Sequence, residues 1–476
     1  MKVNTMIRSL KKTRYALLLL PFFQLSYANL TIETAKTIQG TPPRLSDELE
    51  SSLINTGELK PLFGLIFNNR TYYNDEEIAQ ISIPINDAFS HLLTPAMIKQ
   101  PDANEYFDRD GDKLDYLVAA DDIEMQWYST DSNGELELLT PEENDTFCSL
   151  AAKGKSGPFK VKLSADLLLF SEHGDPDFNT YPNDVIDNKP SATFTILKDV
   201  GVCYAKPSLK PNVPSSDKGQ WNPKKGFKIQ SSIDSTRNFP TTGFFGAQFD
   251  LTLFDTNLYS DYQWYVKQGS DLVTVIKDTQ TNIPTVMFNG PDAKDPGKAW
   301  EHVMGGSGKG YPVVIEGKNT KTGKTTQYAF TIRQWFDVWK QNIVKGKLEA
   351  EVGKVSDVVQ ACESKAGHYR VSRVEDISNA IETVTATGKP KDVKFSREIG
   401  SLISEWGDVD QKSYPGSFGP QRNGAVNKRF YVFSTDFDDG DPEDGKYCDI
   451  HLDDGTFHCR KKEKERKNAV CVSYRP

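Results

Sequence analysis

The chain has 476 residues, with 57 Lys plus Arg against 66 Asp plus Glu, and a formal net charge of −9. At ~100–200 residues per domain this length suggests three or four domains. The acidic balance argues against nucleic acid or anionic lipid as the main partner.

Lys2, Arg8, Lys11, Lys12 and Arg14 make a basic start. Tyr15 to Leu25 is mostly apolar, and Ser26-Tyr27-Ala28 puts small residues where a signal peptidase reads. This is the layout of a secretory signal peptide over residues 1–28. The apolar run covers 11 residues, short of the roughly 20 needed to span hydrocarbon. Cleavage after Ala28 leaves 448 residues; it removes five basic residues and no acidic one, taking the charge from −9 to −14. No later stretch is apolar enough to span, and no series of alternating ten-residue segments suggests a barrel. The expectation is export to the periplasm, then secretion or display at the cell surface, with no membrane span in the mature chain.

Residues 29–60 are polar and carry Thr41-Pro42-Pro43; they read as an extended lead-in. Residues 61–205 alternate apolar runs with turn clusters, as in Leu62–Phe67, Ile81–Ile85, Ile123–Tyr128 and Ala192–Leu197. Period-two alternation of this kind predicts a β-sandwich of short strands. Residues 206–226 hold Pro207, Pro211, Pro214 and Pro223 with Ser215, Ser216 and Gly219, the composition of a linker. Residues 227–336 return to strands: Gln248–Phe254, Tyr262–Val266, Thr285–Phe288, Val313–Ile315 and Tyr328–Ile332. Short strands around a central Trp fit an immunoglobulin-like sandwich. It has no Cys, so its core must carry its stability alone.

From residue 337 to 476 the pattern changes. Leu348, Val352, Val355, Val358, Val359 and Cys362 recur at helical spacing. Ser372 with Glu375, followed by Ile377 and Ile381, reads as a capping box opening a second helix. Short strands follow at Phe430–Phe433, Tyr447–Leu452, Thr456–Cys459 and Val470–Val472. Helices followed by an antiparallel sheet make an α+β domain.

Six cysteines are present: Cys148, Cys203, Cys362, Cys448, Cys459 and Cys471. An even set in an exported chain implies disulfides, and spacing alone leaves all 15 pairings open. No His and Cys cluster at zinc spacing; His451 and His458 read as exposed hairpin residues.

Asp108-Arg109-Asp110-Gly111-Asp112 is the best metal candidate. Asp108, Asp110 and Asp112 alternate around a Gly turn and could converge on Ca²⁺, which takes 6–8 oxygens. Ala119 stands where an EF-hand needs its last ligand, and the commoner reading of such a run is a solvated turn. The acidic stretch Asp436, Asp438, Asp439, Asp441, Glu443 and Asp444 also reads as a solvated loop. Gly305–Gly310 has Val303 and Gly310 where a phosphate loop needs Gly and Ser or Thr. Arg460–Lys467 is a mixed-charge run, solvated in the usual case. No Gly-x-Ser-x-Gly elbow or His-Glu-x-x-His motif occurs. The chain is therefore read as a binding protein and not an enzyme, with no cofactor beyond Ca²⁺ at the Asp108 turn.

Cys362, Gly367-His368-Tyr369-Arg370-Val371-Ser372, Ser404-Glu405-Trp406-Gly407, Tyr414, Arg429–Ser434 and Val470-Cys471-Val472 follow in an order that resembles the C-type-lectin-like adhesion domain of intimin- and invasin-like bacterial proteins. Val371-Ser372 departs from that family's Leu-Pro, and Tyr431-Val432 from its Tyr-Trp; the shared Glu405-Trp406-Gly407 implies that Trp406 is core. Phe239–Phe244, Asp261–Trp264 and Tyr328–Phe330 with Trp335-Phe336 resemble the immunoglobulin-like domain that precedes it there. Residues 61–205 resemble bacterial immunoglobulin- or cadherin-like modules more loosely. The resemblance implies a mainly β multidomain chain, in which immunoglobulin-like β-sandwich domains precede an α+β C-type-lectin-like domain. It implies pairing of Cys362 with Cys471, leaving Cys448 with Cys459 across the Asp454-Gly455 turn, and Cys148 with Cys203 inside the first domain. It further implies a secreted, virulence-associated adhesin that binds a host or bacterial surface protein or glycan. Export would run through a separate intimin-like outer-membrane translocator, as for Zir-type passengers. A periplasmic regulatory or assembly factor for such a barrel is the alternative.

Overall fold

The computed structural model describes residues 40–474, apart from 80, 82, 89–91, 132–133, 197–200, 209–218, 306–307, 345–346, 351, 385–389, 394, 418–428, 431–446, 452–454, 456 and 461–466. The leader, the Asp436–Asp444 stretch and most of the Arg460–Lys467 run lie outside the described residues. Those described are mainly β, arranged in several antiparallel sheets. Among them no helix is long and apolar enough to cross a membrane.

The segment read as an extended lead-in contains a helix, Asp47–Thr56. Ser46 caps it by accepting from the Leu49 N–H, acidic residues fill its first turn, and Gly57 closes it at φ 70°. These are ordinary start and stop signals. Leu49 and Leu53 on its inner face enter the first core. The buried Tyr181 hydroxyl donates to Glu50 at 2.7 Å and accepts from the Leu45 N–H at 2.9 Å, so this segment is part of the first domain. Behind it lie two sheets. One has strands in the order Ser191–Thr195, Ser156–Ser164, Glu124–Thr130, Leu136–Leu139; the other runs Phe178–Tyr181, Leu167–Ser171, Leu114–Ala119. Phe159, Val161 and Leu163 from the first sheet share a core with Leu117, Leu167 and Leu169 from the second. The described residues of the 81–85 run form no strand.

The second sandwich starts earlier than composition suggests. Strand Val202–Pro207 pairs with Gln248–Leu253 and Gly226–Lys228. It lies inside a six-stranded sheet facing the three strands Tyr262–Gln268, Tyr311–Asn319 and Thr325–Ile332. The Pro-rich stretch 206–226 therefore leaves and re-enters one sheet instead of joining two domains. Pro and Ser mark a loop; they do not say where the loop returns.

The last block does not stand apart from the second. Strand Thr242–Phe244 runs parallel to Gln334–Val338, which pairs with Val470–Ser473, which pairs with Tyr369–Val371. One sheet thus crosses the boundary drawn at residue 337, and one continuous core runs from Val202 to Val472. The helix expected from Leu348 begins only at Val355 and ends at Ser364; Lys347–Ala350 and Val352–Gly353 are strands. The expected second helix is one turn, Val374–Ile377, and Ile381 opens a strand. Ser372 is diverted: its hydroxyl donates to the Val470 carbonyl at 2.9 Å. Asp376, held by Arg370 at 2.6 Å, takes the Arg373 N–H instead.

Candidate functional site

The structure makes two of the disulfides, Cys148–Cys203 and Cys362–Cys471. Cys448 is also disulfide-bonded and stands opposite Cys459 in the hairpin register. Cys362 lies on helix Val355–Ser364 and Cys471 on the last strand. The Cys148–Cys203 bond differs from expectation in its place. Cys148 sits on helix Phe147–Ala152 of the first domain, and Cys203 on a strand of the second sandwich. The register slips between Val202 and Tyr204, a bulge that re-aims the intervening side chain. Val202 and Ala205 enter the second core while Cys203 and Tyr204 join Cys148 in a small junction cluster, with Ile85 and Phe254 packed against it. The Tyr204 hydroxyl donates to the Cys148 carbonyl at 3.1 Å, and the Asn86 amide to the Val202 carbonyl at 3.0 Å. The second sandwich is therefore cross-linked to its neighbour.

The join between the second sandwich and the last block is built on Glu405-Trp406-Gly407. Trp406 is fully buried, as the sequence suggests, and packs against Phe239, Phe244, Phe288 and Tyr414. Its indole N–H donates to the Thr242 hydroxyl at 2.9 Å. Glu405 is wholly buried and accepts from five donors. These are the Thr241 N–H (3.0 Å) and hydroxyl (2.6 Å), the Thr242 N–H (3.0 Å) and hydroxyl (2.6 Å), and the Gly400 N–H (3.0 Å). Burial pushes its carboxyl above the usual range, against the pull of those donors. Gly246 lets the two parts close in. At φ 89°, a Cβ there would stand 2.8 Å from the Ser417 nitrogen and 2.9 Å from the Pro415 oxygen. Beside the join, Arg397 is buried against Trp221 and Phe395 and donates to the Ile403 and Ser404 carbonyls at 3.0 and 3.1 Å. Burial lowers its guanidinium to about 10.

Asp108, Asp110 and Asp112 are not brought together as a ligand set. Asp110 accepts from the Thr41 N–H and hydroxyl, at 2.5 and 2.8 Å. Asp108 accepts from the Asp110 N–H at 2.8 Å, and the Tyr106 hydroxyl donates to the Asp112 carbonyl at 3.3 Å. The run works as a self-bonded turn that pins the start of the described chain.

One exposed surface was not anticipated. On the sheet of Leu114–Ala119, Leu167–Ser171 and Phe178–Tyr181, register sets Tyr116 opposite Phe170 and Phe170 opposite Phe178. The rings lie 4.6 and 5.9 Å apart. Tyr116 is 41% and Phe178 45% exposed, so this row faces outward, where an antiparallel sheet is normally polar. The unbroken apolar run Leu167-Leu168-Leu169-Phe170 was the available signal, since it leaves neither face polar.

Comparison with known proteins adds little. No protein-family model matches the chain, and no curated protein does. Among solved structures, cadherin-like domains 1 to 4 of zebrafish RET match at 10% identity and a TM-score of 0.14, over 46% of this chain and 41% of that one. The chain thus spans less than half the length of that structure, and so low a TM-score carries no argument about function.

Proposed function

We propose that this protein is an exported, surface-exposed or secreted adhesin. It binds a host or bacterial surface protein or glycan through its terminal block, residues 337–476, whose fold we take to be lectin-like. The supporting observation is the way that block is mounted. It shares a sheet and a core with the sandwich before it, is held by the buried Glu405, and is closed by Cys362–Cys471. A head fixed this way presents its loops in one orientation, which lowers the ordering cost of binding. The cross-linked first domain carries the aromatic row and offers a further contact surface. Passage through a separate intimin-like outer-membrane barrel belongs to the same proposal.

The test is binding of the oxidised mature chain, residues 29–476, to epithelial cells. The whole chain is needed because the terminal block shares its core. Saturable binding that a Cys362→Ser/Cys471→Ser variant loses supports the adhesin. A folded chain that binds no cells and stays in the periplasm moves the proposal to an assembly factor for the barrel.

A further inference from the structure

Three side chains from separate segments of the second sandwich point at one another: Asp271 in a turn, Asp292 in the short helix Pro291–Lys294, and His302 on helix Pro296–Met304. Their ligand atoms all lie within 4.8 Å of one another. The His302 Nε2 stands 3.6 Å from the Asp271 Oδ2 and 3.7 Å from the Asp292 Oδ2. Both distances exceed a hydrogen bond. They are close to the roughly 3.4 Å separating two ligands of a tetrahedral ion bound at ~2.1 Å. The imidazole and carboxylates therefore surround a point more than they bond to each other.

The ligands are positioned by their neighbours. The Tyr311 hydroxyl donates to the same Asp271 Oδ2 at 3.3 Å, and its ring lies 5.3 Å from that of His302. Lys298 reaches the other oxygen of Asp292 at 3.3 Å, leaving Oδ2 turned to the centre. The Asp292 N–H donates to the Asp271 carbonyl at 3.1 Å, and Gly290 likewise to Leu272 at 3.1 Å, so the two carboxylate segments are fixed together. His302 and Asp292 are 24% and 20% exposed at the side chain and Asp271 54%, which leaves the centre open to solvent on one side.

We propose that Asp271, Asp292 and His302 bind a first-row divalent cation of the zinc class. An imidazole with two carboxylates suits zinc, cobalt or manganese; calcium prefers an all-oxygen set. Three protein ligands leave a fourth position for water. The ion would fasten the Asp271 turn and the short helix Pro291–Lys294 to helix Pro296–Met304, on which the terminal block sits. The Tyr369 hydroxyl donates to the Pro296 carbonyl at 2.8 Å, and the Trp300 and His368 rings lie 4.8 Å apart. The site would brace the mount of the terminal block without touching its loops.

The experiment is calorimetric titration of the mature chain with zinc chloride in a non-chelating buffer, with thermal melts alongside. One zinc should bind per chain. Tm should rise by about 5–10 °C at a hundredfold excess over Kd. Equal calcium should not substitute. Cobalt should give a visible absorption band that H302Q loses. H302Q and D292N should each weaken zinc binding more than about tenfold, with metal-free melts near wild type. Absence of heat and of any Tm rise at millimolar zinc overturns the proposal, as does zinc or cobalt binding unchanged in H302Q.

Discussion

Replacing Glu405 by Gln tests whether the buried carboxylate holds the terminal block to its sandwich. Oε1 accepts from the Thr241 N–H, the Thr241 hydroxyl and the Gly400 N–H, while Oε2 faces the Thr242 N–H and hydroxyl. A carboxamide can place oxygen on one side only. On the other, its NH₂ meets a backbone N–H that loses its acceptor. One orphaned buried donor costs about 1–3 kcal/mol, and the remaining bonds lose their charge assistance. Together these predict about 3 kcal/mol. At ~2–4 °C per kcal/mol for a domain of 150–250 residues, Tm falls by about 6–12 °C. Glu405→Ala orphans the Thr241, Thr242 and Gly400 N–H groups together and should cost more. The pH dependence follows from burial having raised the folded carboxyl above its unfolded value. That linkage favours the fold below the ordinary glutamate range and is lost as pH rises through the folded pKa. E405Q removes it, so the Tm gap between wild type and variant should widen toward about pH 4. Scanning calorimetry of the oxidised mature chain between about pH 4 and 8 reads both effects. An E405Q melt within a degree or two of wild type, or a gap that widens toward alkaline pH, refutes the reasoning.

Changing Cys148 and Cys203 to Ser opens a loop with a sequence separation of 55. In the chain-entropy model this costs about 4 kcal/mol, and limited proteolysis should show new cleavage at the junction of the first two domains. Asp145 is subject to burial, which raises its carboxyl, but Lys153, the Glu142 N–H and Ser149 hold it below the usual range. Its contribution is therefore present above the unfolded carboxylate pKa and lost as pH falls through the folded one. D145N should lower Tm at neutral pH and match wild type below about pH 3 by circular dichroism. Tyr116→Ser with Phe170→Ser should cost only about 1–2 kcal/mol, the worth of a cross-strand aromatic pair and its neighbours. If the first domain is a contact surface, the same change should weaken cell binding; unchanged binding limits contact to the terminal block. Gly246→Ala places a Cβ against backbone at positive φ and should cost about 2–3 kcal/mol in a urea titration.

Strands were legible wherever one face is buried. Gln248–Leu253 and Tyr311–Asn319 alternate along much of their length, and period two marks such segments directly. Helix Asp47–Thr56 has equally plain signals in Ser46, the acidic first turn and Gly57. Thr41-Pro42-Pro43 just before it favours extended chain and masks them. Other features could not be read locally. Ser372 and Glu375 satisfy the rule for a helix start, yet Val470, 98 residues on, takes the Ser372 hydroxyl. Cys203 points at the first domain only because a bulge turns it. Asp271, Asp292 and His302 have no shared spacing; a turn, a short helix and a longer helix must fold before they meet. Asp108, Asp110 and Asp112 had the spacing, but the Thr41 N–H takes the Asp110 carboxylate and the Asp110 N–H that of Asp108.

Among the described residues two large cores follow from where the strands pair, and this bears on how a binding head can be carried. A strand shared between blocks cannot slide without exposing backbone donors on both sides. The pairing of Gln334–Val338 with Val470–Ser473 therefore makes the second sandwich and terminal block open together or not at all. The junction with the first domain is of another kind. Among the described residues it includes a small cluster around Cys148, Cys203 and Tyr204, the Asn86–Val202 hydrogen bond, and Phe254 lying 6.0 Å from Phe159. The Cys148–Cys203 bond ties this junction covalently. Stiffness toward the tip thus comes from shared secondary structure, and stiffness toward the base from one disulfide. In an oxidising compartment both hold. Under reduction the covalent tie at the base is lost, while the shared sheet still mounts the terminal block.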